Sequence, residues 1–259
     1  MNNILLVGDC CTDVYIEGSV DRISPEAPVP VIKKLSEDMN PGMSLNVLGN
    51  LKALFMFTLG LDKVNVDLLT HEEEIIKTRI LDVKSKQHLI RIDQDPEIKS
   101  TLNRNISNDY THLIISDYNK GFLRPEDCTF LCEKFKGKPI FVDSKKKDLS
   151  CFKNCIIKIN DLEEESAYNI DSSNTVITTL GAKGAKFNNK IYKSKAVDVF
   201  DVCGAGDVFL ASLFYYMLNN SIEDSIKFAN ICAGISVTKP GVYTLSEKDI
   251  MKAIKISNN

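Results

Sequence analysis

The chain has 259 residues, 44% of them hydrophobic and 26% charged, with 13 Gly and 8 Pro. That balance excludes collagenous, low-complexity and coiled-coil classes and allows one large domain, residues 1–259, with a sizeable core. Thirty-five acids against thirty-two bases leave a formal net charge of -3, so no global positive field exists to hold nucleic acid or an anionic membrane, and small-molecule chemistry is the better expectation. The longest apolar runs, Leu51–Leu61 and Val208–Leu218, fall short of the roughly 20 residues a membrane-spanning helix needs. Ile4 follows Met1-Asn2-Asn3 without the basic flank of a secretory signal. A cytoplasmic location is therefore expected, with the eight cysteines as thiols.

Ile4–Val7 opens the chain as a continuous apolar strand. Val14–Lys34 carries Pro25, Pro28 and Pro30, which suit an exposed edge ribbon rather than a central strand. Ile75–Asp93 reads as two alternating strands around Lys84–Lys86, with Ile76, Thr78 and Ile80 on one face and Lys77, Arg79 and Leu81 on the other. Further short apolar strands are predicted at His112–Ser116, Ile140–Val142, Ile156–Ile159 and Val176–Thr179. Pro125–Phe135 reads as a helix with Pro in its first turn, and Ser221–Ser236 and Ser246–Ile256 as helices opened by a capping serine. The pairs Cys128/Cys132 and Cys151/Cys155 have a zinc-like spacing, but no histidine stands near either, so they read as small buried residues.

Continuous apolarity implies strands buried on both faces, hence a doubly wound, mainly parallel α/β sheet flanked by helices. The segments at about 14–34 and 75–93 break the β/α rhythm and form a small separate β-layer. Such a layer, set beside the carboxyl ends of the strands, acts as a lid over a ligand.

The chemistry concentrates in Asp201-Val202-Cys203-Gly204-Ala205-Gly206-Asp207, which lies between a strand ending at Phe200 and the apolar helix from Val208. Gly204 and Gly206 permit close backbone approach, and helix N-terminal amides favour an anion such as a transferring phosphoryl group. Asp207 could there accept a proton from an attacking hydroxyl. An ordinary glycine turn with Asp207 as a helix cap is the alternative, and this segment alone leaves both open. Neither a Walker-type loop nor a protein-kinase signature is present.

Over most of its length the chain resembles the PfkB (ribokinase-like) sugar kinases, and within them the D-glycero-D-manno-heptose 7-phosphate kinases. The carriers are Val7-Gly8-Asp9 with Asp13, Arg22–Val31, Pro41-Gly42 with Asn46, Lys77-Thr78-Arg79, Gln87 with Leu89–Asp93, and Ser116-Asp117-Tyr118 with Lys120-Gly121. Val142-Asp143 with Lys145, Asn160 with Glu163, Thr179 with Gly181 and Gly184, and Gly204–Asp207 follow in order. The resemblance implies transfer from ATP, with Mg²⁺, to the anomeric hydroxyl, a step toward ADP-heptose. In it Asp207 is the base, and the loop amides from Gly204 through Ala205, Gly206 and Asp207 hold the phosphoryl group. It further implies a sugar site from Asp13, Gly42, Asn46, Arg79, Gln87, Arg91 and Asp117. A nucleotide site follows from Asn160, Glu163, Thr179, Gly181, Gly184 and Asn230, with Glu163 reaching Mg²⁺ through water.

Of only five arginines, Arg22, Arg79 and Arg91 lie in the lid segments, which favours a phosphorylated sugar; solvated charges on exposed strands are the alternative. Where the family carries Gly-Gly, this chain has Gly42-Met43, so Met43 is expected to narrow the sugar pocket. The stretch from Leu51 to Lys77 is shorter than in similar kinases, and an uncovered sheet edge there leads us to expect a homodimer. The chain ends at Asn259 without the nucleotidyltransferase domain fused to some of these kinases, so only the kinase step is expected. The other readings are a kinase for another sugar or sugar phosphate, and a catalytically weak binding or regulatory relative.

Overall fold

The computed structural model describes residues 2–58, 64–85, 87–195 and 198–257. Leu61 of the first apolar run, Lys86 of the expected turn, and the terminal residues Met1 and Asn259 lie outside them. Six strands form the parallel body of the main sheet, β1 (Asn2–Gly8), β4 (Val64–Leu69), β7 (His112–Asp117), β8 (Ile140–Ser144), β9 (Ile156–Asn160) and β10 (Thr175–Thr179), and an antiparallel extension, β11 (Ala185–Phe187) and β12 (Lys190–Tyr192), brings the sheet to eight. The spatial order is β12-β11-β10-β9-β8-β7-β1-β4. Every residue of β8 is buried, as a strand covered on both faces demands.

The alternation of side chains divides the core in two. Ile4 and Leu6 pack with Ile114, Phe141 and Ile177 under the helices α1 (Ser44–Thr58), α4 (Ala205–Met217), α5 (Ile222–Ser236) and α6 (Glu247–Ser257). Leu5 and Val7 face the other way, joining Leu113, Ile115, Val142 and Ile157 against α2 (Pro125–Lys134). The short α3 (Asp161–Ser166) leaves the end of β9 directly. Cys128 and Cys132 of α2 are buried in this second core, where the Cys132 sulfur lies 3.6 Å from that of Cys155. Edge strand β4 pairs only with β1 among the described residues.

The second sheet has the order β3-β2-β5-β6, from β2 (Cys10–Ile23), β3 (Pro30–Met43), β5 (Ile76–Asp82) and β6 (His88–Gln94). Pro30 opens edge strand β3, where a missing N–H costs no ladder bond. On β5 it is Arg79 and Leu81, rather than Ile76, Thr78 and Ile80, that are buried. The cause is a salt bridge from the Arg79 guanidinium to Asp13, with the guanidinium also lying over the Tyr15 ring.

Candidate active site

Parallel pairing brings the chemistry-bearing residues to one end of the main sheet. Gly8 pairs with Ser116, Ser116 with Asp143, Asp143 with Lys158, and Asn160 with Thr179. The N-terminus of α4 meets these strand ends. Its flanking residue Gly204 has φ +72°, and a Cβ there would stand 2.6 Å from Asn46 Nδ2, so this position requires glycine. Within the loop, the Ala205 N–H donates to the Val202 carbonyl at 3.3 Å and the Asp207 N–H to the Gly204 carbonyl at 3.1 Å. Among the described residues the N–H groups of Val202, Gly204 and Gly206 have no backbone acceptor, so Gly206 is one of three loop donors free to meet an anion.

Asp207 is only 2% exposed. Its carboxylate accepts from the Tyr118 hydroxyl at 2.7 Å and from Asn46 Nδ2 at 3.1 Å. Burial pushes the carboxyl up to about 6, against the pull of those two donors. An acceptor hydroxyl approaching Asp207 would have to share the carboxylate with the Tyr118 and Asn46 donors or displace one of them. Tyr118 stays a donor, because burial and the neighbouring carboxylates hold its hydroxyl well above the usual range. Nothing in the sequence reading gave Tyr118 a role beyond its place in a motif; its contact spans 89 positions, which no local pattern reports.

Two expected sugar ligands are turned to other tasks. Asn46 is fully buried and spends its amide hydrogens on the Gly204 carbonyl and Asp207, while its oxygen accepts from Asn50 at 2.9 Å. It therefore orients the base and the loop. Asp117 is also fully buried, accepting from Ser144 at 2.6 Å and pairing with Lys146 at 2.8 Å, which keeps it beneath the strand ends. Asp13 is buried on β2 and held by Arg79, so that arginine's charge is committed. Gly42 makes this packing possible, because a Cβ there would stand 2.1 Å from Asp13 Oδ2. Met43, next to it, is 3% exposed and takes φ +56°, a conformation that glycine adopts without strain. It packs with Cys11 and Ile75.

Arg91 lies directly across from Arg79 on β6 and pairs with Asp93 at 2.7 Å, half-exposed. Gln87 sits at the opposite end of that hairpin from the Ile76–Gln94 pair that adjoins Thr12, so the sheet does not bring it beside Asp13. On the nucleotide side, Asn160 caps α3 and accepts from the Glu163 N–H at 2.8 Å, while Glu163 accepts from the Asn160 N–H at 2.8 Å. The other Glu163 oxygen pairs with Lys145 at 2.5 Å, and Lys145 continues to Asp143 at 3.1 Å. Asp143 in turn holds Lys158 at 2.6 Å. Thr179 ends β10 beside Asn160, and Gly181 and Gly184 bound the turn that follows. Asn230, expected beside a base, donates to the Tyr192 carbonyl at 2.7 Å and so ties α5 to β12. The oxygen-only set of Glu163 and Asn160 suits Mg²⁺ that keeps its own waters.

The fold is the ribokinase-like α/β fold. Solved structures share it: phosphofructokinase-2 from Escherichia coli in complex with potassium aligns with TM-score 0.73 at 16% identity, covering 100% of this chain and 99% of that one. Ribokinase from Thermotoga maritima aligns with TM-score 0.66 at 16% identity over 98% of this chain and 100% of its own. The pfkB family carbohydrate kinase profile matches residues 147–249. Among curated proteins, the bifunctional protein HldE of Campylobacter curvus is 31% identical over 99% of this chain and 66% of its own length. HldE of Campylobacter concisus is 33% identical over 98% of this chain and 65% of its own length. Residues 147–249 thus carry a pfkB family carbohydrate kinase match, and the chain as a whole is similar to the HldE proteins. It spans just under two thirds of the curated relatives it matches.

Proposed function

We propose that this protein transfers the γ-phosphoryl group of ATP to the anomeric hydroxyl of D-glycero-D-manno-heptose 7-phosphate, giving the 1,7-bisphosphate. The reading is supported by similarity, over nearly the whole of this chain, to proteins named HldE and, above all, by one observation. A carboxylate stands in the first turn of α4, beside a glycine loop and at the carboxyl ends of a parallel sheet. In this mechanism Asp207 takes the proton from the anomeric hydroxyl, Asn46 holds the carboxylate in place, and the loop amides receive the moving phosphoryl charge. Asn160 and Glu163 hold the waters of Mg²⁺, which supplies charge neutralisation on the phosphates when bound. Asp13, fixed by Arg79, meets sugar hydroxyls, and Arg91 with its pairing partner Asp93 meets the 7-phosphate.

A kinase for a different sugar phosphate is favoured by one feature, the buried Met43 at a left-handed position beside Gly42. Coupled-enzyme ADP release with a panel of sugars separates the readings. Turnover on heptose 7-phosphate supports the first, turnover on another sugar alone supports the second, and turnover on none overturns both. The expected homodimer would bury the second sheet's exposed apolar residues, among them Leu35, Met39, Ile90 and Ile92. No helix among the described residues is long and apolar enough to cross a membrane, which accords with a cytoplasmic enzyme.

A further inference from the structure

One lysine in this protein is placed where the chain could have used a hydrophobe. Lys158 lies on β9, on the strand face that it shares with Ile156 and turns toward the α1/α4/α5 layer, and it is only 2% exposed. Its ammonium sits 2.6 Å from Asp143 Oδ2, itself 2% exposed. Burying two charges costs more desolvation energy than such a pair commonly returns, and a well-packed apolar pair of similar volume serves folding at least as well. Space-filling therefore does not account for it.

What lies above it does. A Cβ built on Gly206 would stand 2.9 Å from Lys158 Nζ and 3.9 Å from Asp143 Oδ2. The backbone of Gly206 is not left-handed, so what a side chain there would meet is this ammonium, which would have to shift to admit it. Among the described residues Gly206 is also one of the loop residues whose N–H is free of a backbone acceptor. The same residue thus offers a donor outward and meets a fixed cation inward, where little solvent screens the charge. The far side of Asp143 holds Lys145, which reaches Glu163. One chain of alternating charges therefore joins the anion loop to the residue assigned to magnesium-bound water.

We propose that Lys158 is a positioning residue for phosphoryl transfer: its ammonium, held by Asp143 behind Gly206, fixes the anion loop and opposes the negative charge that gathers there in the transition state. The proposal rests on the kinase reading and deepens it. A charge behind the loop acts most on the state in which charge has moved onto the loop, so it governs kcat rather than ATP affinity.

The test uses Lys158→Met and the double variant Lys158→Met/Asp143→Asn in the full chain. The single variant strands a buried carboxylate and is expected to melt early; the double variant removes both charges and recovers thermal stability. If Lys158 acts as proposed, the double variant still loses about tenfold to a hundredfold in kcat while KM for ATP moves less than about threefold. A double variant that regains wild-type kcat along with its stability overturns the inference and leaves Lys158 a structural partner of Asp143. A second measurement does not need the sugar: calorimetric binding of MgADP with and without aluminium fluoride, which mimics the transferring phosphoryl group. Wild type should gain affinity on adding aluminium fluoride, and the double variant should lose at least tenfold of that gain with MgADP binding unchanged. No gain in wild type, or an equal gain in both proteins, also overturns it. Absence of wild-type turnover on every sugar, with the aluminium fluoride difference intact, would instead sink the substrate reading and spare Lys158.

Discussion

The strand-end cluster around Asp207 and the sheet that carries Arg91 hold their charges in opposite ways. In the cluster, the Lys158 and Asp143 side chains are 3% and 2% exposed, and each charge fixes the next. On the second sheet, the Arg91 and Asp93 side chains are 50% and 37% exposed, and β6 is exposed at every position. Buried pairs are costly to break, because removing one partner strands the other without solvent, at about 3–5 kcal/mol. Exposed pairs are worth about 0–1 kcal/mol and can be traded for a ligand's charge. The cluster therefore holds a fixed geometry while the Arg91–Asp93 pair on β6 is free to exchange partners, the difference that the proposed transfer site and phosphate clamp require.

The sharpest way to break this contrast is at the base. Asp207→Asn should lower turnover by about 10³-fold, read as coupled ADP release, with calorimetric ATP binding nearly unchanged. Wild-type-like turnover would remove Asp207 from the mechanism. The substitution should also move stability, with a definite sign. The folded carboxyl titrates at about 6 against an ordinary 3.8. Its contribution to stability is thus full below pH 3.8 and is lost as the pH rises through 6. Wild type should therefore fall behind Asp207→Asn between those limits, by up to about 3 kcal/mol, in denaturant melts at pH 4 and pH 7. Activity runs the other way, because a base must be deprotonated: kcat/KM should rise through pH 6 and level off above it.

Gly42→Ala carries the comparison to the junction of the two sheets. A Cβ placed 2.1 Å from Asp13 Oδ2 must push Asp13 off Arg79. We expect a stability loss of about 3 kcal/mol and a KM for the sugar phosphate that rises well beyond that for ATP. A crystal structure with the Asp13–Arg79 pair intact would show that the backbone gives way instead. Tyr118→Phe should have a smaller effect. It deletes a bond that pulls the Asp207 pKa down, so the acid limb of kcat/KM should shift to higher pH. Activity should fall about tenfold at pH 6 and much less at pH 8; equal losses at both would mean that Tyr118 works by shape alone.

The two regions also differed in how far they could be read from the chain. The strands Ile4–Val7 and Ile140–Val142 were legible because burial on both faces leaves continuous apolar runs, and α5 because Ser221 marks its start. Although among the described residues no strand ends at Phe200, where the chain is irregular and the Phe200 N–H bonds the Val237 carbonyl, the glycine loop and Asp207 were legible as a glycine turn opening an apolar helix. The charged cluster was not. Within Ile156-Ile157-Lys158-Ile159 a lysine reads as a solvent-facing break, and only the β8/β9 register that sets it opposite Asp143 explains its burial. The resemblance makes Asn46 a sugar ligand, yet its partners Gly204 and Asp207 lie some 160 positions away. Arg79 was counted as a free cation for the same reason: its carboxylate belongs to a strand 66 positions earlier. Periodicity reports which face a residue occupies, whereas pairing between distant strands decides what that face meets.

The smallest expected effect on stability is the one that most directly tests the lid. Among the described residues the Arg91 guanidinium pairs only with Asp93, two residues along its own strand, through Nε and one terminal nitrogen, each at 2.7 Å. Breaking so exposed a pair should leave the melting temperature of Arg91→Ala within about 2 °C of wild type. If this guanidinium exchanges Asp93 for the substrate's own phosphate, the variant should raise KM for heptose 7-phosphate at least tenfold. KM for ATP should hold, and added salt should weaken sugar-phosphate binding less in the variant than in wild type, since one screened attraction is gone. Asp93→Asn should do the reverse, freeing the cation and lowering that KM. Equal changes for both substrates would take the phosphate clamp away from β6, and the lid sheet would then serve only to cover a site made elsewhere.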